Sequence, residues 1–170
     1  MASGDTLGVF TPLHNQPPAS SAATIDLRNQ HPVLDFDAAA DEVGIFGSLL
    51  PRNYAGGGIT VRLHWSAATS TSGTVRWQGA FESHTQNVDD LDSNSFATSI
   101  ATTNVPSSVA GQVQYSTLAF TDGAQIDGLA VGEGFRFQVI RTAGTTGASL
   151  TSNDTMTGDA ELHRVEIRET

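Results

Sequence analysis

From residue 59 to residue 66 the chain reads Ile-Thr-Val-Arg-Leu-His-Trp-Ser, apolar at every odd position and polar at every even one. The same phase returns over residues 74–82, where Val75, Trp77 and Phe81 are odd. A period of two held over eight residues marks a strand with one face in a core and the other in water. Weaker versions recur along the chain. Residues 24–28 place Ile25 and Leu27 on one side, and residues 32–37 set Leu34 and Phe36 against Val33, Asp35 and Asp37. Residues 42–50 carry Val43, Ile45 and Leu49 at period two, and residues 134–141 alternate Phe135, Phe137 and Val139 with Arg136 and Gln138. The closing segment 160–169 turns Val165 and Ile167 inward and Glu166 and Arg168 outward.

Three segments are noisier. Residues 96–101 and 112–120 read as strands; in the second, Val113 and Tyr115 are odd whereas Leu118 and Phe120 are even. Such a change of phase predicts a β-bulge. Residues 121–132 hold Ile126, Leu129 and Ala130 at helical spacing and are the candidate for one short helix or turn. If the two clearest strands pair through the small polar turn 67–73, a register with partner numbers summing to 140 keeps the faces matched. It sets Trp65 opposite Val75, Leu63 opposite Trp77 and Ile59 opposite Phe81.

About nine short strands divided by Gly, Asn, Asp and Ser turns predict an all-β domain over residues 23–170. Its expected form is a single jelly-roll-like antiparallel β-sandwich. Residues 1–22 differ: they hold three of the six prolines, and Pro17-Pro18 followed by Ala-Ser-Ser suits neither ladder nor helix. An extended N-terminal arm is expected there, with Val9, Phe10 and Leu13 as apolar anchors for a neighbouring protein. Before residue 59, Tyr54 precedes three consecutive glycines, which suit a tight crossover between two sheets.

Composition narrows the function. Serine and threonine total 36 and glycine 17, a mixture that favours strands and turns. With no cysteine, disulfide scaffolds, cysteine-ligated zinc, iron–sulfur clusters and thiol nucleophiles are excluded. All eight basic residues are arginine, so P-loop, Schiff-base and protein-kinase chemistry lack their lysine. The net charge of −10, with arginines scattered from Arg28 to Arg168, argues against nucleic acid as a partner. No apolar run approaches the ~20 residues of a membrane span, and MASGDTLGVF does not read as a secretory signal.

Candidate chemistry is sparse. His14, His31, His64, His84 and His163 include no His-x-His pair, so a cupin-type metal site is not expected, and no cofactor is implied. By the parity of Val165 and Ile167, His163 points inward, as a core histidine or at a bulge. Asp90, Asp92 and Asn94 begin a calcium-loop spacing that fails at Ser95 and Ala101, although an ion shared between subunits stays open. Asp35, Asp37, Asp41 and Glu42 form a second acidic cluster that could supply paired carboxylates, but a strand edge running into an acidic turn has the same letters. There is no G-x-S-x-G elbow, and no enzymatic activity is expected. Trp65 and Trp77 fall on the core parity of their strands, which leaves Tyr54 and Tyr115 as aromatic surface contacts.

The strings HPVLDFD, PRNYAGGGITVRLHW and DTMTGDAELHRVEIRET together resemble small β-sandwich virion proteins of tailed bacteriophages. The resemblance implies a jelly roll, an assembled virion and a symmetric homo-oligomer, commonly a trimer. The expectation that follows is a capsid decoration or cement protein on the head exterior, bridging subunits of the major capsid protein through Val9, Phe10, Leu13 and Tyr54. The alternative is a receptor- or glycan-binding module of a tail fibre or baseplate, with an aromatic groove near Tyr54 or Tyr115.

Overall fold

The computed structural model describes residues 4–69, 71–143 and 153–170. Ten strands run in the order β1 (Thr6–Phe10), β2 (Thr24–Arg28), β3 (His31–Phe36), β4 (Glu42–Leu49), β5 (Ile59–Ala67), β6 (Val75–His84), β7 (Ile100–Asn104), β8 (Gln114–Phe120), β9 (Gly134–Arg141) and β10 (Ala160–Glu169). Two short 3₁₀ turns, Pro12–His14 and Ala124–Ile126, are the helical elements among the described residues. The first sheet has the order β2-β3-β10-β5-β8, with β1 lying against the later half of β10. The second has the order β4-β9-β6-β7, and every ladder in both sheets is antiparallel. This is the all-β antiparallel sandwich that the alternation predicts. No described helix is long and apolar enough to cross a membrane.

The two sheets meet through the residues that alternation assigns to the core. Trp65 from β5 and Trp77 from β6 touch edge-on at 5.8 Å, as do Phe81 and Phe120 at 5.0 Å, and the Phe137 ring lies tilted against Phe81 at 4.9 Å. Edge-to-face aromatic pairs of this kind add about 0.5–1.5 kcal/mol beyond their buried area. Between them Gly79 keeps the sheets close: a Cβ there would lie 2.8 Å from both Leu118 Cδ1 and Phe137 Cζ. The Trp65 indole N–H donates to the buried Ser116 hydroxyl at 2.8 Å.

The expected β5–β6 hairpin does not form. Strand β5 pairs with β10 and β8, whereas β6 pairs with β7 and β9 in the opposite sheet. Both strands turn their odd residues into the same core, so Trp65 and Trp77 meet across the sandwich instead of along one ladder. The Gly56-Gly57-Gly58 crossover from β4 to β5 is present, with all three glycines at positive φ. At Gly58 a Cβ would collide with the Phe120 carbonyl, so the β5 entry requires glycine.

Other local expectations shift. The predicted strand 96–101 starts later, at Ile100, because residues 85–99 fold back over β6, with the Ala97 N–H donating to the Phe81 carbonyl. No bulge occurs in β8: Ser116, Leu118 and Phe120 face the core throughout, and Val113 and Tyr115 face out. On β4 the core side chain is Phe46, paired with Phe137; Ile45 is buried instead beneath the N-terminal segment. The 121–132 stretch contains the short turn with Ile126 and Leu129 buried.

The N-terminal segment runs extended along the chain's own two sheets. Residues 1–3 of it lie outside the described residues. Strand β1 pairs with β10, and the chain then crosses to β4, where the Gln16 N–H donates to the Ile45 carbonyl and Asn15 Oδ1 accepts from the Ile45 N–H. Ala22 bridges to Val43 beyond that. Residues 4–22 thus close one side of both sheets.

A buried ion pair joins the sheets at the other end of β9. Arg141 is fully buried and all five of its N–H donors are used. Nε and Nη2 reach the two Asp154 oxygens at 3.0 Å each, Nη1 donates to the Phe36 and Gly158 carbonyls, and Nη2 also to the Met156 carbonyl. Removing one partner of such a pair strands a buried charge, whereas replacing both is far milder. Asp154→Ala is expected to lower the unfolding free energy by roughly 3–5 kcal/mol in urea titration. The double variant Arg141→Met/Asp154→Leu is expected to lose less than Asp154→Ala alone.

Candidate functional site

The outer face of the first sheet carries the polar half of each alternating strand, and the ladders bring specific side chains side by side. His64 on β5 lies between Tyr115 on β8 and Arg164 on β10. One step along, Arg62 lies between Thr117 and Glu166. The Tyr115 side of this face is aromatic and open: Tyr115 is 55% exposed, with the Arg62 guanidinium 4.8 Å over its ring and the His64 ring at 6.0 Å. A cation held on one face of a phenol ring stiffens it without covering the other face.

Past His64 and Arg164 the face descends into a cleft of about 500 Å³. Its walls come from the Thr11–Leu13 turn, the β2–β3 hairpin and the loop at Gly111 and Val113. The hairpin turn is Asn29-Gln30, both residues at positive φ (45° and 68°), the conformation of a two-residue type I′ connection. That turn sets Arg28 opposite His31 at the rim of the cleft.

His163 enters the cleft because of a bulge in β10. The register slips between Leu162 and Arg164, so Leu162, Val165 and Ile167 all face the core although their numbers differ in parity. The extra residue, His163, is thereby turned out beside Arg164, and both line the cleft. Of the two readings parity left for His163, the bulge is the one present, and its partner is a side chain. The His163 Nε2 lies 2.9 Å from the Ser66 hydroxyl, which donates at 3.0 Å to Glu161 Oε2; the same carboxylate oxygen accepts from Arg28 at 2.7 Å. A hydroxyl has one proton, so with it given to Glu161 the Nε2 must carry the hydrogen and Nδ1 is left as an acceptor. Burial pushes the imidazole below its usual value, outweighing the nearby Glu161, which keeps the ring neutral.

The expected contact residues divide. Val9 and Leu13 are exposed on this side of the molecule, and Leu13 lines the cleft. Phe10 is buried against Phe46 at 5.7 Å between ring centroids, so it anchors β1 to the core instead of meeting a neighbour. Tyr54 is buried too, its hydroxyl accepting from the Gly58 N–H at 3.0 Å, and it braces the glycine crossover. Of the two tyrosines expected at the surface, Tyr115 alone is exposed. The sequence pattern does not single out Arg28, His31 or Arg164 as cleft residues; the Asn29-Gln30 hairpin turn places the first two, and the bulge in β10 places the third.

The remaining acidic groups lie elsewhere. The run 89–94 is used within its own turn, Asp89 accepting from the Thr85 N–H and Asp90 from the Asp92 N–H. Among the described residues no cluster of three His, Asp or Glu side chains could hold a metal ion. Asp35 pairs across from Glu161 on the outer face and is crowded by Asp159, Glu161, Asp26 and Glu42. Burial first, then those like charges, raise its carboxyl to about 6. It does not line the cleft.

No family model matches the chain, and no curated protein matches it in sequence. Solved structures do. A xylan-binding domain (CBM22-2) from Paenibacillus barcinonensis is similar with a TM-score of 0.54 at 14% identity, covering 92% of each chain. A family 35 carbohydrate-binding module from an environmental isolate gives 0.53 at 11% identity, covering 94% of this chain and 91% of its own. The xylan-binding module CBM15 gives 0.50 at 12%, covering 99% and 95%. The likeness defines the fold: a jelly-roll β-sandwich of the kind seen in carbohydrate-binding modules. The comparisons give the resemblance to tailed-phage virion proteins no counterpart.

Because Asp35 holds a proton more tightly in the folded chain (about 6) than at its unperturbed 3.8, the fold loses stability as pH rises through that window. Asp35→Asn is expected to raise the thermal midpoint at pH near 7.5. The gain should shrink through the window and vanish below about pH 4, where the wild-type carboxyl is protonated in both states.

Proposed function

We propose that this chain is a non-catalytic carbohydrate-binding module that lays an oligosaccharide across the outer face of its first sheet. The observation that carries the reading is the Tyr115–His64–Arg164 row, an exposed aromatic ring running into a polar cleft that the fold itself does not need. A sugar ring presents an apolar face of C–H groups and an equatorial belt of hydroxyls. Tyr115 supplies a flat surface for the first, and Asn29, His31 and His163 supply amide and imidazole partners for the second. The neutral His163, with Nδ1 as acceptor, accepts a hydrogen bond from a sugar hydroxyl without the desolvation cost of a charged group.

The fold likeness to xylan-binding domains supports this reading and gives the capsid-decoration expectation no support. A tail-fibre or baseplate setting is compatible with the same surface. In either setting Val9 and Leu13 would border the ligand, where their apolar side chains limit water at its edge.

Binding to a glycan array followed by titration calorimetry tests the proposal. Tyr115→Ala is expected to weaken the best ligand at least about tenfold, equivalent to ~1.4 kcal/mol. Tyr54→Phe, altered only in the buried crossover, is expected to bind as the wild type does. An array without any bound saccharide, or a Tyr115→Ala protein of undiminished affinity, would overturn the reading.

A further inference from the structure

We infer that the saccharide is anionic, and that Arg164 holds its carboxylate or sulfate group. The inference rests on the carbohydrate-binding reading above and concerns which class of sugar the same face takes. The chain carries 18 acidic residues against 8 arginines. Among the described residues, however, not one side chain lining the cleft is acidic, while Arg28, Arg164, His31, His64 and His163 all are part of it. Arg28, Arg62, Arg164 and Arg168 project from this one sheet face or its rim, while the acids of the same face, Asp35, Glu161 and Glu166, stay outside the cleft lining. A segregation of that kind, against the sign of the whole molecule, is what an anionic ligand requires.

Three of those guanidiniums are already engaged. Arg28 is paired with Glu161 at 2.7 Å, Arg62 stacks on Tyr115, and Arg168 donates to the Gly4 carbonyl while lying 3.9 Å from Glu166. Glu161 and Glu166 adjoin the cleft, and both are occupied: Glu161 accepts from Arg28 and Ser66, and Glu166 accepts from the Thr6 hydroxyl at 2.6 Å and faces His64 at 3.9 Å. Arg164 differs. It is exposed, it lines the cleft, and it makes no ion pair with any described residue. A planar fork of N–H donors free of a partner is suited to bidentate capture of a carboxylate or a sulfate. The bulge at His163 is what brings it there, since unbroken alternation after Leu162 would send residue 164 into the core.

The row geometry also sets a minimum ligand length. Tyr115 and Arg164 lie on strands separated by β5, hence ~10 Å apart at the usual strand spacing. One sugar ring cannot span that distance, so the stacked ring and the charged ring are different units of one oligosaccharide. A lone uronic acid is therefore a poor ligand, lacking the aromatic half of the site.

The experiment compares three probes of matched length by calorimetry at low ionic strength: neutral xylo-oligosaccharides, the same backbone bearing glucuronic acid, and a sulfated oligosaccharide. At least one charged probe is expected to bind roughly tenfold more tightly than the neutral one, with the advantage shrinking as salt is raised. Whichever charged probe binds better identifies the anion as carboxylate or sulfate, and either result supports the inference. Arg164→Gln is expected to bring the charged and neutral probes to within about twofold of each other. The wild-type salt dependence provides the same reading without any variant. Equal affinity for charged and neutral probes, or a preference that survives Arg164→Gln, overturns the inference and leaves the carbohydrate-binding reading standing. Absence of binding by all three overturns the inference, and an empty glycan array alongside it overturns the carbohydrate-binding reading as well.

Discussion

A guanidinium wholly removed from water is tolerable only if every N–H finds an acceptor and its charge finds a counter-charge, and Arg141 meets both conditions. Its position makes that requirement a constraint on the whole sandwich. Arg141 ends β9 in the second sheet, and its partners are the last residue of β3 in the first sheet and the segment 154–158 leading into β10. Asp154 additionally accepts from the Arg76 N–H at the start of β6. Misplacing any of these by a residue would leave a buried charge or a buried carbonyl unpaired, each far costlier than a slipped apolar contact. The pair thus acts less as a source of net stability than as a marker of register, deciding where β10 begins.

Strand β10 is the right element for such a marker. It lies in the middle of the first sheet, with β5 along one edge and both β3 and β1 sharing the other. Once its start is fixed, Leu162 must face Trp65, and beyond the slip Val165 must face Leu63. These two demands differ by one residue, and the bulge at His163 absorbs the difference. The cleft is then a consequence of core registry: the residue the core cannot accommodate is extruded beside the sheet's exposed cations. Ser66, Glu161 and Arg28 form the chain of hydrogen bonds that keeps the extruded ring in one orientation.

The sequence was most legible where a single physical rule acted alone. Alternation marked β5, β6, β9 and β10 nearly to the residue, because each has one wet face. It said nothing about which strand lies beside which, and so β5 and β6 were mistaken for partners. Two strands that share a core look the same whether they pair edge to edge or face to face. Tertiary cover hid other features: Ile45 and Val33 fall on outer parities and are buried or shielded by the N-terminal segment and neighbouring strands. In the site, Tyr115 was visible as an aromatic on the wet phase of β8, but the apparent phase change there suggested a bulge in the wrong strand. The real bulge left the odd parity of His163 as its trace, and that signal allowed two explanations. Phe10 and Tyr54 misled because a hydrophobic residue near Pro or Gly reads as exposed loop, whereas both plug the ends of the core.

The acidity of the chain and the cationic cleft are compatible because they act over different distances. At physiological salt the field of scattered surface charges decays over about 8 Å, so a net charge of −10 governs solubility and encounter more than the contact itself. Within the cleft, an anionic group of the proposed ligand would meet Arg164 at hydrogen-bonding range, where screening is weakest. The consequence for an anionic chain is an encounter slowed by repulsion and a bound state retained by local pairing. For nucleic acid the balance reverses. A phosphate backbone needs a cation every few ångströms along its length, and this surface offers a free guanidinium at one point, flanked by the Asp35 and Glu161 carboxylates on the adjoining row. A saccharide with isolated charges needs just one such point, provided an aromatic surface holds the neutral rings beside it. The same spacing that disqualifies a polyphosphate would suit a sparsely charged polysaccharide, and on the proposed reading selectivity would come from where the cations stop.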